Sequence, residues 1–408
     1  MGFQQGLSGL NASAKNLDVI GNNVANANTV GFKQSQAQFA DVYASTLVGV
    51  AQIGTGTKVA TIAQQFSQGN TSVTNNSMDI AISGNGFYRM DNNGVITYAR
   101  NGQFQLDKDG FMVNNQGLKL TGYQVNAAGA IIPAAPTPLQ ISAASLTPKA
   151  TVNITAGLNL DARGAVPVTA PFNPLDPTSY NNSTSTTVFD SLGGSHVATM
   201  YFQKTAANSW NSYLAVDGAM VPVAAPPTPL SAMTFSTSGA LLTPVGGLVA
   251  AAAFTPVGGG AAQTLSFNFA TTSQYGSNFG VNSLAQDGYT TGQLSGFSTS
   301  ADGTVVGRYS NGQTKALGQV VLANFSNTQG LQPLGNNQWS QTPVSGVPLV
   351  GAPGSSSLGV LQSGAVEDSN VDLTAELVNM ITAQRAYQAN AQTIKTQDQL
   401  MQTLVNLR

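Results

Sequence analysis

The residue types best suited to chemistry in this sequence are few, and three of them lie in one short stretch. Asp190, Ser195 and His196 are the acid, hydroxyl and imidazole that a catalytic triad uses. His196 is the only histidine of the chain and there is no cysteine, which excludes thiolate catalysis, disulfides and cysteine metal sites. The three residues fall in or beside one predicted hairpin of a nearly uncharged segment. We therefore expect a surface or turn histidine there, and not a hydrolase site.

Two loops carry ligand-type residues at spacings that do not suit a ligand. The segment 107–110 (Asp-Lys-Asp-Gly) begins like a calcium loop, but its glycine is fourth instead of sixth and Leu118 stands where a glutamate is needed. The segment 54–58 has phosphate-loop residue types without the required spacing. The glutamates Glu367 and Glu376 lie near the C-terminus, and nothing singles out an aspartate pair for glycoside hydrolysis. We predict that the protein is not an enzyme and uses no metal or cofactor.

The composition narrows the class of protein further. Charged residues make up 8% of the 408 residues, whereas about 25% is usual in soluble domains. With a net charge of −2 the chain has no electrostatic footprint for nucleic acid, and its length suggests two to four domains. The sequence has neither an apolar run of membrane-spanning length nor the charged and apolar regions of a cleaved signal peptide. We expect no nucleic-acid binding, no membrane insertion and export, if any, by another route.

Apolar residues recur in a seven-residue pattern at both ends of the chain. Such spacing predicts a helix with a narrow coiled-coil seam. At the N-terminus the seam consists of Phe3, Leu7, Leu10, Ala14, Leu17, Gly21 and Val24. At the C-terminus it consists of Leu373, Met380, Tyr387, Ile394 and Met401, with Leu377, Ala391 and Val405 as the second seam position.

Each end could also be an ordinary amphipathic helix against its own core. Ser369-Asn370 is a plausible N-cap for the C-terminal helix, and a run of asparagines should end the N-terminal one. Burial of roughly a dozen seam side chains does not clearly exceed the entropy lost on ordering the two ends. We therefore expect both ends to be disordered in the monomer and to fold on assembly.

The middle of the chain has the two-residue period of antiparallel β-strands. Turn signals punctuate it at 91–94, 101–102, 109–110 and 115–117, and again at 302–303 and 311–312. Between these stretches lies a proline-containing segment of very low charge, for which a second β-domain inserted in the first is the economical interpretation and compositional disorder the alternative.

These patterns predict an α+β multidomain fold: a terminal helical coiled-coil domain plus antiparallel β-domains, with the outer one inserted in the inner one. The predicted divisions are 1–27 with 370–408 for the helices, 28–72 with 346–369 for an extended or irregular linker, 73–145 with 286–345 for the inner β-domain, and 146–285 for the outer β-domain.

Several stretches resemble the shared motifs of the bacterial flagellar rod and hook proteins. The N-terminal motif lies within 10–33, and its most specific residues are Asn22, Asn23, Asn26, Asn28, Gly31 and Phe32. The C-terminal motif runs from Glu367 through Asn370 to Asn390, and shorter matches lie at 84–87, 98–104 and 307–312. Two long motifs at opposite ends, in this order, make the resemblance specific. Within the family, the chain length and the large central insert resemble the hook members, since the distal rod protein is much shorter.

The resemblance implies a structural subunit of a curved, extracellular tube that joins the rod of the rotary motor to the filament as a flexible joint with a central export channel. It implies export by the flagellar type III apparatus without a cleaved signal peptide. The other implied partners are further copies of the chain, the distal rod protein, the hook cap, the hook–filament junction protein and the hook-length ruler. Another axial subunit, of distal-rod type, and an adhesin-like β-rich surface protein remain as alternatives.

Overall fold

The computed structural model describes residues 2–42, 54–126, 129–142 and 144–406. The chain forms two compact units. The first, which we call the terminal unit, comprises Met1–Ala143, Gly296–Arg308 and Thr314–Arg408, and the second, the inserted unit, comprises Ala144–Ser295 and Tyr309–Gln313.

Two long helices from the chain ends pack on each other in the terminal unit. Helix α1 is Gly2–Ala25 and helix α2 is Leu373–Asn406. The Asp372 carboxylate caps α2, because its Oδ1 accepts hydrogen bonds from the backbone N–H groups of Thr374 and Ala375. The N-cap predicted at Ser369-Asn370 was therefore wrong by two residues.

A two-stranded ribbon lies against α1. Strands β1 (Ser35–Val42) and β2 (Gly56–Gln64) pair antiparallel in a stretch that was expected to be extended or irregular. The ribbon is tied to α1 by Asn23, whose side chain accepts from the backbone N–H of Ser35 and donates to its carbonyl. Asn23 is 1% exposed. The Asn23 side chain thus satisfies both backbone groups of Ser35, as a neighbouring strand would, and the sequence pattern did not predict this contact.

The rest of the terminal unit is β-structure with short 3-10 turns. Its strands before the inserted unit are β3 (Thr71–Val73), β4 (Ile80–Ser83), β5 (Phe87–Asn92), β6 (Val95–Ala99), β7 (Gln105–Leu106), β8 (Met112–Val113), β9 (Lys119–Val125) and β10 (Ile131–Pro138). Those after it are β22 (Leu294–Thr299), β23 (Thr304–Tyr309), β24 (Thr314–Val320), β25 (Leu322–Asn324), β26 (Gln332–Gly335), β27 (Gln338–Ser340), β28 (Leu349–Gly351), β29 (Val360–Ser363) and β30 (Ala365–Glu367). The strands of the inserted unit, β11 to β21, are given below.

The large sheet of the terminal unit follows the order β22-β23-β24-β9-β5-β6-β27-β26. An aromatic cluster packs against it, with Phe87, Tyr98, Phe325 and Trp339 almost fully buried. Two small sheets, β29–β4 and β3–β30, join the segment before α2 to the segment after the ribbon. The C-terminal chain is thereby held against the N-terminal half of the unit.

Most of the predicted turns are confirmed. Glycines with positive φ close the hairpins at Gly94, Gly110, Gly117, Gly303 and Gly312. The exception is 101–102, which is not a hairpin turn. Gly102 lies against the backbone of β4, where an added Cβ would be 1.7 Å from the Ile80 carbonyl oxygen. Glycine is therefore needed for this close approach of two backbone segments.

The inserted unit is a β-structure with its own core, so the alternative of compositional disorder was wrong. Trp210, Phe202, Phe267 and Phe269 are fully buried at its centre. Its strands are β11 (Asn153–Asp161), β12 (Asn182–Phe189), β13 (Ser195–Ala206), β14 (Ser209–Val216), β15 (Ala219–Val221), β16 (Ser231–Phe235), β17 (Leu241–Thr243), β18 (Leu248–Ala250), β19 (Ser266–Asn268), β20 (Ser273–Tyr275) and β21 (Gly280–Gln286).

Two sheets share this core. One has the order β12-β13-β14-β16-β17 and its pairings are antiparallel, as expected. The other is mixed: β11 pairs in parallel with β19 and β20 and antiparallel with β21. The parallel pairings join residues more than one hundred positions apart, and short-range turn signals cannot predict them.

Candidate functional site

His196 is a buried strand residue, and the expectation of a surface or turn histidine was wrong. It lies in β13 and is 6% exposed. Its Nδ1 is 2.6 Å from Asp217 Oδ2, and its Nε2 is 3.4 Å from Asp190 Oδ2. Both ring nitrogens face carboxylates, so neither is directed at Ser195 as a triad would require.

The three groups influence one another's ionisation. The hydrogen bond with Asp217 raises the pKa of His196, although burial opposes it. Burial also acts to raise the pKa of Asp190 and of Asp217, but the hydrogen bonds that each carboxylate accepts outweigh it, and both pKa values lie below the ordinary value of an aspartate. The imidazole bridges the two carboxylates, and their proximity favours its protonated form. It holds β13 to the turn at Asp190 and to the turn at Asp217.

In the part of the chain that the structure describes, no group of three or more His, Cys, Asp or Glu side chains comes together that could hold a metal ion. No helix among the same residues is long and apolar enough to span a membrane. Asp107 Oδ1 accepts hydrogen bonds from the backbone N–H groups of Asp109 and Phe111. The calcium-like segment is therefore a turn whose own backbone binds the Asp107 carboxylate.

The predicted N-terminal seam is exposed in the first turns of α1 and half-buried beyond them. Phe3 is 51% exposed and Leu7 is 43% exposed. The other members, Leu10, Ala14, Leu17 and Val24, are half-buried. On the opposite side α1 buries Gly6, Ala12, Val19, Ile20 and Asn23. The large apolar residues in the first turns of α1 are therefore not buried by contacts within one chain.

Glycine spacing sets the contact between the helices, a signal that the sequence reasoning missed. A Cβ at Gly2 would meet Gln397, one at Gly6 would meet Ile394, and one at Gly9 would meet Asn390, each within 3.0 Å. The order of these contacts shows that α1 and α2 run antiparallel. The spacing of four and three residues matches one face of a helix, so the glycines form a flat strip on which α2 rests closely.

The C-terminal seam is only partly covered. Met380 and Ile394 are half-buried, and Ala383 is 5% exposed between them. Ala391 is also half-buried, and the remaining predicted residues are exposed: Leu373, Leu377, Tyr387, Met401 and Val405. Val378, Ile381 and Leu400, which the heptad did not include, are also exposed. A 34-residue helix with this many exposed apolar side chains has a surface suited to another copy.

The asparagine-rich motif after α1 builds the connection between helix and ribbon. Asn26 donates to the Asn22 carbonyl and to its side chain, and its own Oδ1 accepts from Thr29. Asn28 is exposed and Phe32 is buried. Gly31 has φ +71°, and a Cβ there would lie 2.7 Å from the Asn101 backbone nitrogen, so glycine is required.

Three charged residues meet in the interior directly after this motif, and we call them the Glu367 junction. Glu367 Oε1 is 2.7 Å from Lys33 Nζ and its Oε2 is 3.1 Å from Arg100 Nη1. All three side chains are at most 2% exposed. Burial, with the nearby Arg100, lowers the pKa of Lys33, while Glu367 acts against this.

The junction joins segments that are far apart in the sequence. Lys33 also donates to the Ser67 carbonyl, and the backbone N–H of Gly69 donates to Glu367 Oε1. Asn370, predicted as part of the C-terminal assembly helix, lies before α2 and accepts from the backbone N–H of Gln34 while donating to the Gln65 carbonyl. The polar groups of the family-like motifs are thus used to fasten the two chain ends together.

A helical pair that leaves apolar side chains exposed, and a buried junction that fastens the two chain ends together, are typical of a structural subunit that assembles with others. Family models match along the chain: "Flagella basal body rod protein" at 3–33, "Flagellar hook protein FlgE/F/G D1 domain" at 81–165, "Flagellar basal body protein FlaE D2 domain" at 159–289 and "Flagellar basal body rod FlgEFG protein C-terminal" at 362–407.

Relatives match over the full length. The chain is 46% identical to the flagellar hook protein FlgE of Salmonella typhimurium and to that of Escherichia coli K12, over 100% of both chains in each case. The crystal structure of the Helicobacter pylori flagellar hook protein FlgE2 matches 72% of this chain and 100% of its own length, with a TM-score of 0.51 and 13% identity. The chain belongs to the flagellar hook protein FlgE family, which is a structural family and not an enzyme family.

Proposed function

We propose that this protein is the structural subunit of the flagellar hook, assembling with copies of itself into a curved tube. The tube serves as a flexible universal joint that transmits motor torque from rod to filament, and its central channel passes exported subunits. The observation that carries the proposal is the full-length similarity to hook proteins together with the exposed apolar side chains on α1 and α2. The relatives do not favour a distal-rod subunit or an adhesin.

The seam residues have a direct role in this proposal. Phe3, Leu7, Leu10, Ala14, Leu17 and Val24 on α1, and Leu373, Leu377, Met380, Tyr387, Ile394 and Met401 on α2, would pack between copies as the inner layer of the tube. Apolar side chains exposed in one chain lose their contact with water in such a layer, which drives association. Asn22, Asn23, Asn26, Asn28, Gly31, Phe32 and Asn370 would set the direction in which the helices leave the β-structure.

The β-structure would form the outer layers. We retain the division into helices (1–27 with 370–408), linker (28–72 with 346–369), inner β-domain (73–145 with 286–345) and outer β-domain (146–285) as a working scheme. In a joint that turns, neighbouring outer surfaces slide on every revolution, so their contacts should be polar, small and hydrated. A charged content of 8% with abundant uncharged polar residues suits this requirement.

The partners and location follow from the same proposal. The subunit would be exported by the flagellar type III apparatus without a cleaved signal peptide and would act outside the cell. It would contact the distal rod protein, the hook cap, the hook–filament junction protein and the hook-length ruler. It would need no catalysis, no cofactor, no nucleic acid and no membrane insertion.

The test is electron microscopy of seeded growth. The purified full chain, and variants lacking residues 1–25 or 373–408, are mixed with short hook fragments and examined by negative stain. Growth of curved tubes from the full chain alone supports the proposal and places the assembly signal in the helices. A folded full chain that never elongates the seeds contradicts it, and equal growth by the truncated variants contradicts the role given to α1 and α2.

A further inference from the structure

A cleft of about 390 Å³ opens between α1, β1 and α2 in the terminal unit. Its lining is mainly uncharged and includes Asn16, Asn23, Gln34 and Asn379 beside Val19 and Ala383. Phe39 of β1 also lines it and is 43% exposed. Glu376 is the only charged residue among the described residues that line this cleft.

Glu376 is buried without a cation. It is 3% exposed, and its Oε1 accepts a hydrogen bond from Gln34 Nε2. Its Oε2 has no hydrogen-bond partner among the described residues. An ionised carboxylate in such a position is costly unless a cation or further donors approach it, because burial removes most of its hydration.

The helical pair has two cations that pair with nothing in the described part of the chain. They are Arg385 and Lys395, both exposed on α2, whereas Lys15 of α1 is 3.2 Å from Asp18. Arg385 follows Glu376 by nine positions, which places it about 180° around the helix and about 13.5 Å along it. The guanidinium therefore points away from the cleft of its own chain and cannot reach Glu376.

A helix with an acid facing inward and a cation directly opposite is suited to head-to-tail association of identical copies. The outward cation of one copy can enter the cleft of the next, and the same relation then repeats without closing into a dimer. Arginine fits better than lysine, since its planar, weakly hydrated guanidinium pairs well with a buried carboxylate. Lys395 lies about 100° from Glu376 around the helix and so leaves α2 in another direction.

We propose that the cleft between α1, β1 and α2 receives Arg385 of a second copy of this chain, which pairs with Glu376. This inference rests on the proposed function, since it names the contact that copies would make beside the helices. The pair gives the otherwise apolar packing of helices a register. Apolar seams slide past one another at low cost, whereas a buried charge pair is formed in one position only.

The test is the critical concentration for seeded elongation of four full-length chains: unaltered, Glu376→Gln, Arg385→Gln and the double variant. We expect each single change to raise the critical concentration about tenfold or more, and the double change to raise it no further than the larger single effect. Lys395→Gln is the matched control, since it removes an exposed cation of the same helix, and it should change the value less than about threefold.

Charge exchange between copies supplies a second readout. Glu376→Lys chains and Arg385→Glu chains should each fail to elongate seeds alone and should elongate them when mixed, because the mixture restores opposite charges between neighbours. Multiplicative effects of the two Gln changes, or an equal effect of Lys395→Gln, would overturn the pairing. If the unaltered chain does not elongate seeds, the proposed function itself fails, so the two failures are distinguishable.

Discussion

At the scale of single residues, the most consequential feature is the Glu367 junction. A carboxylate with no exposed surface holds Lys33 and Arg100, and each of these cations also donates to a backbone carbonyl. The two buried cations depend on that one carboxylate for neutralisation. The junction fixes the segment before β1, the end of β6 and β30 in one arrangement. It lies between the end of α1 and the beginning of α2 and ties both chain segments to the β-structure of the terminal unit.

Replacing Glu367 with Gln should destabilise the terminal unit by about 3–5 kcal/mol, because Lys33 and Arg100 would remain buried as unpaired like charges. Urea denaturation, with hydrogen exchange of peptides from β4 to β6 as the local readout, measures the change. Asp368→Asn is the control: this neighbouring carboxylate accepts a hydrogen bond from the Ser72 hydroxyl at an exposed site, and its loss should cost no more than about 1 kcal/mol. Equal effects of the two substitutions would show that burial of the charge is not what matters.

His196 gives the inserted unit a pH-dependent stability whose sign follows from its surroundings. The pKa of His196 is raised from 6.5, so its contribution is complete below about pH 6.5 and is lost as the pH rises through the folded-state pKa. The pKa values of Asp190 and Asp217 are lowered from 3.8, so their contribution is present above about pH 4 and is lost as the pH falls through their folded-state values. The unit should be most stable in the mildly acidic range between these limits.

Proton NMR can check this directly, since the single histidine gives one Cε1–H resonance to titrate. We expect a pKa above 6.5, and a larger decrease in Asp217→Asn than in Asp190→Asn because the Asp217 contact is the shorter. Asp176→Asn, which changes the cap of the 3-10 turn Pro177–Ser179, is the control and should leave the titration unchanged. A histidine pKa at or below 6.5 in the unaltered chain would contradict the bridging arrangement.

At the scale of elements, the glycine strip of α1 explains why the large apolar residues of α1 remain exposed. Gly2, Gly6 and Gly9 let α2 approach, and Phe3 and Leu7 are then directed elsewhere. Leu at position 6 would collide with Ile394, where even a Cβ would lie 3.0 Å away. Gly6→Leu should therefore separate the helices and abolish seeded elongation.

Gln4→Leu is the matched control for that change. Gln4 is exposed in the same helix and belongs to neither the glycine strip nor the seam, and leucine and glutamine have similar helix propensities. This variant should elongate seeds about as well as the unaltered chain. If both variants elongate equally, the strip is not a contact that assembly needs.

The elements differ in how far the sequence could predict them. Helices and tight hairpins arise from neighbours in the chain, and so the seven-residue repeats and most of the Asn-Gly and Asp-Gly pairs predicted them, with 101–102 as the exception. The Glu367 junction joins residues up to 334 positions apart, and no local pattern relates them. The ribbon was not predicted because the paired stretches around Ser35 and Gly56 show little alternation of apolar and polar residues. The glycine strip was not predicted because glycine does not contribute to a hydrophobic pattern.

At the scale of the whole molecule, the helical ends pose a question of stability that the isolated chain should answer. α2 exposes apolar side chains along its length and packs mainly against α1. The apolar area that one chain buries there is small compared with the entropy of ordering two long terminal segments. We expect amides of α1 and α2 to exchange rapidly in the dilute monomer and slowly in tubes, whereas amides of the inserted unit should be protected in both. Strong protection of residues 3–24 in the monomer would contradict this expectation.

The scarcity of charge in the molecule leads to a prediction about assembly in salt. The chain has 15 basic and 17 acidic residues in 408, and several of them are consumed by ion pairs within the chain. Apolar packing of α1 and α2 is insensitive to screening, and a buried pair between Glu376 and Arg385 is screened far less than an exposed one. The critical concentration for elongation should therefore change less than about threefold between about 20 and about 150 mM salt. Over this range the Debye length falls from roughly 20 Å to about 8 Å. Light scattering across this range measures it, and a steep rise in the critical concentration would mean that exposed ion pairs hold the copies together.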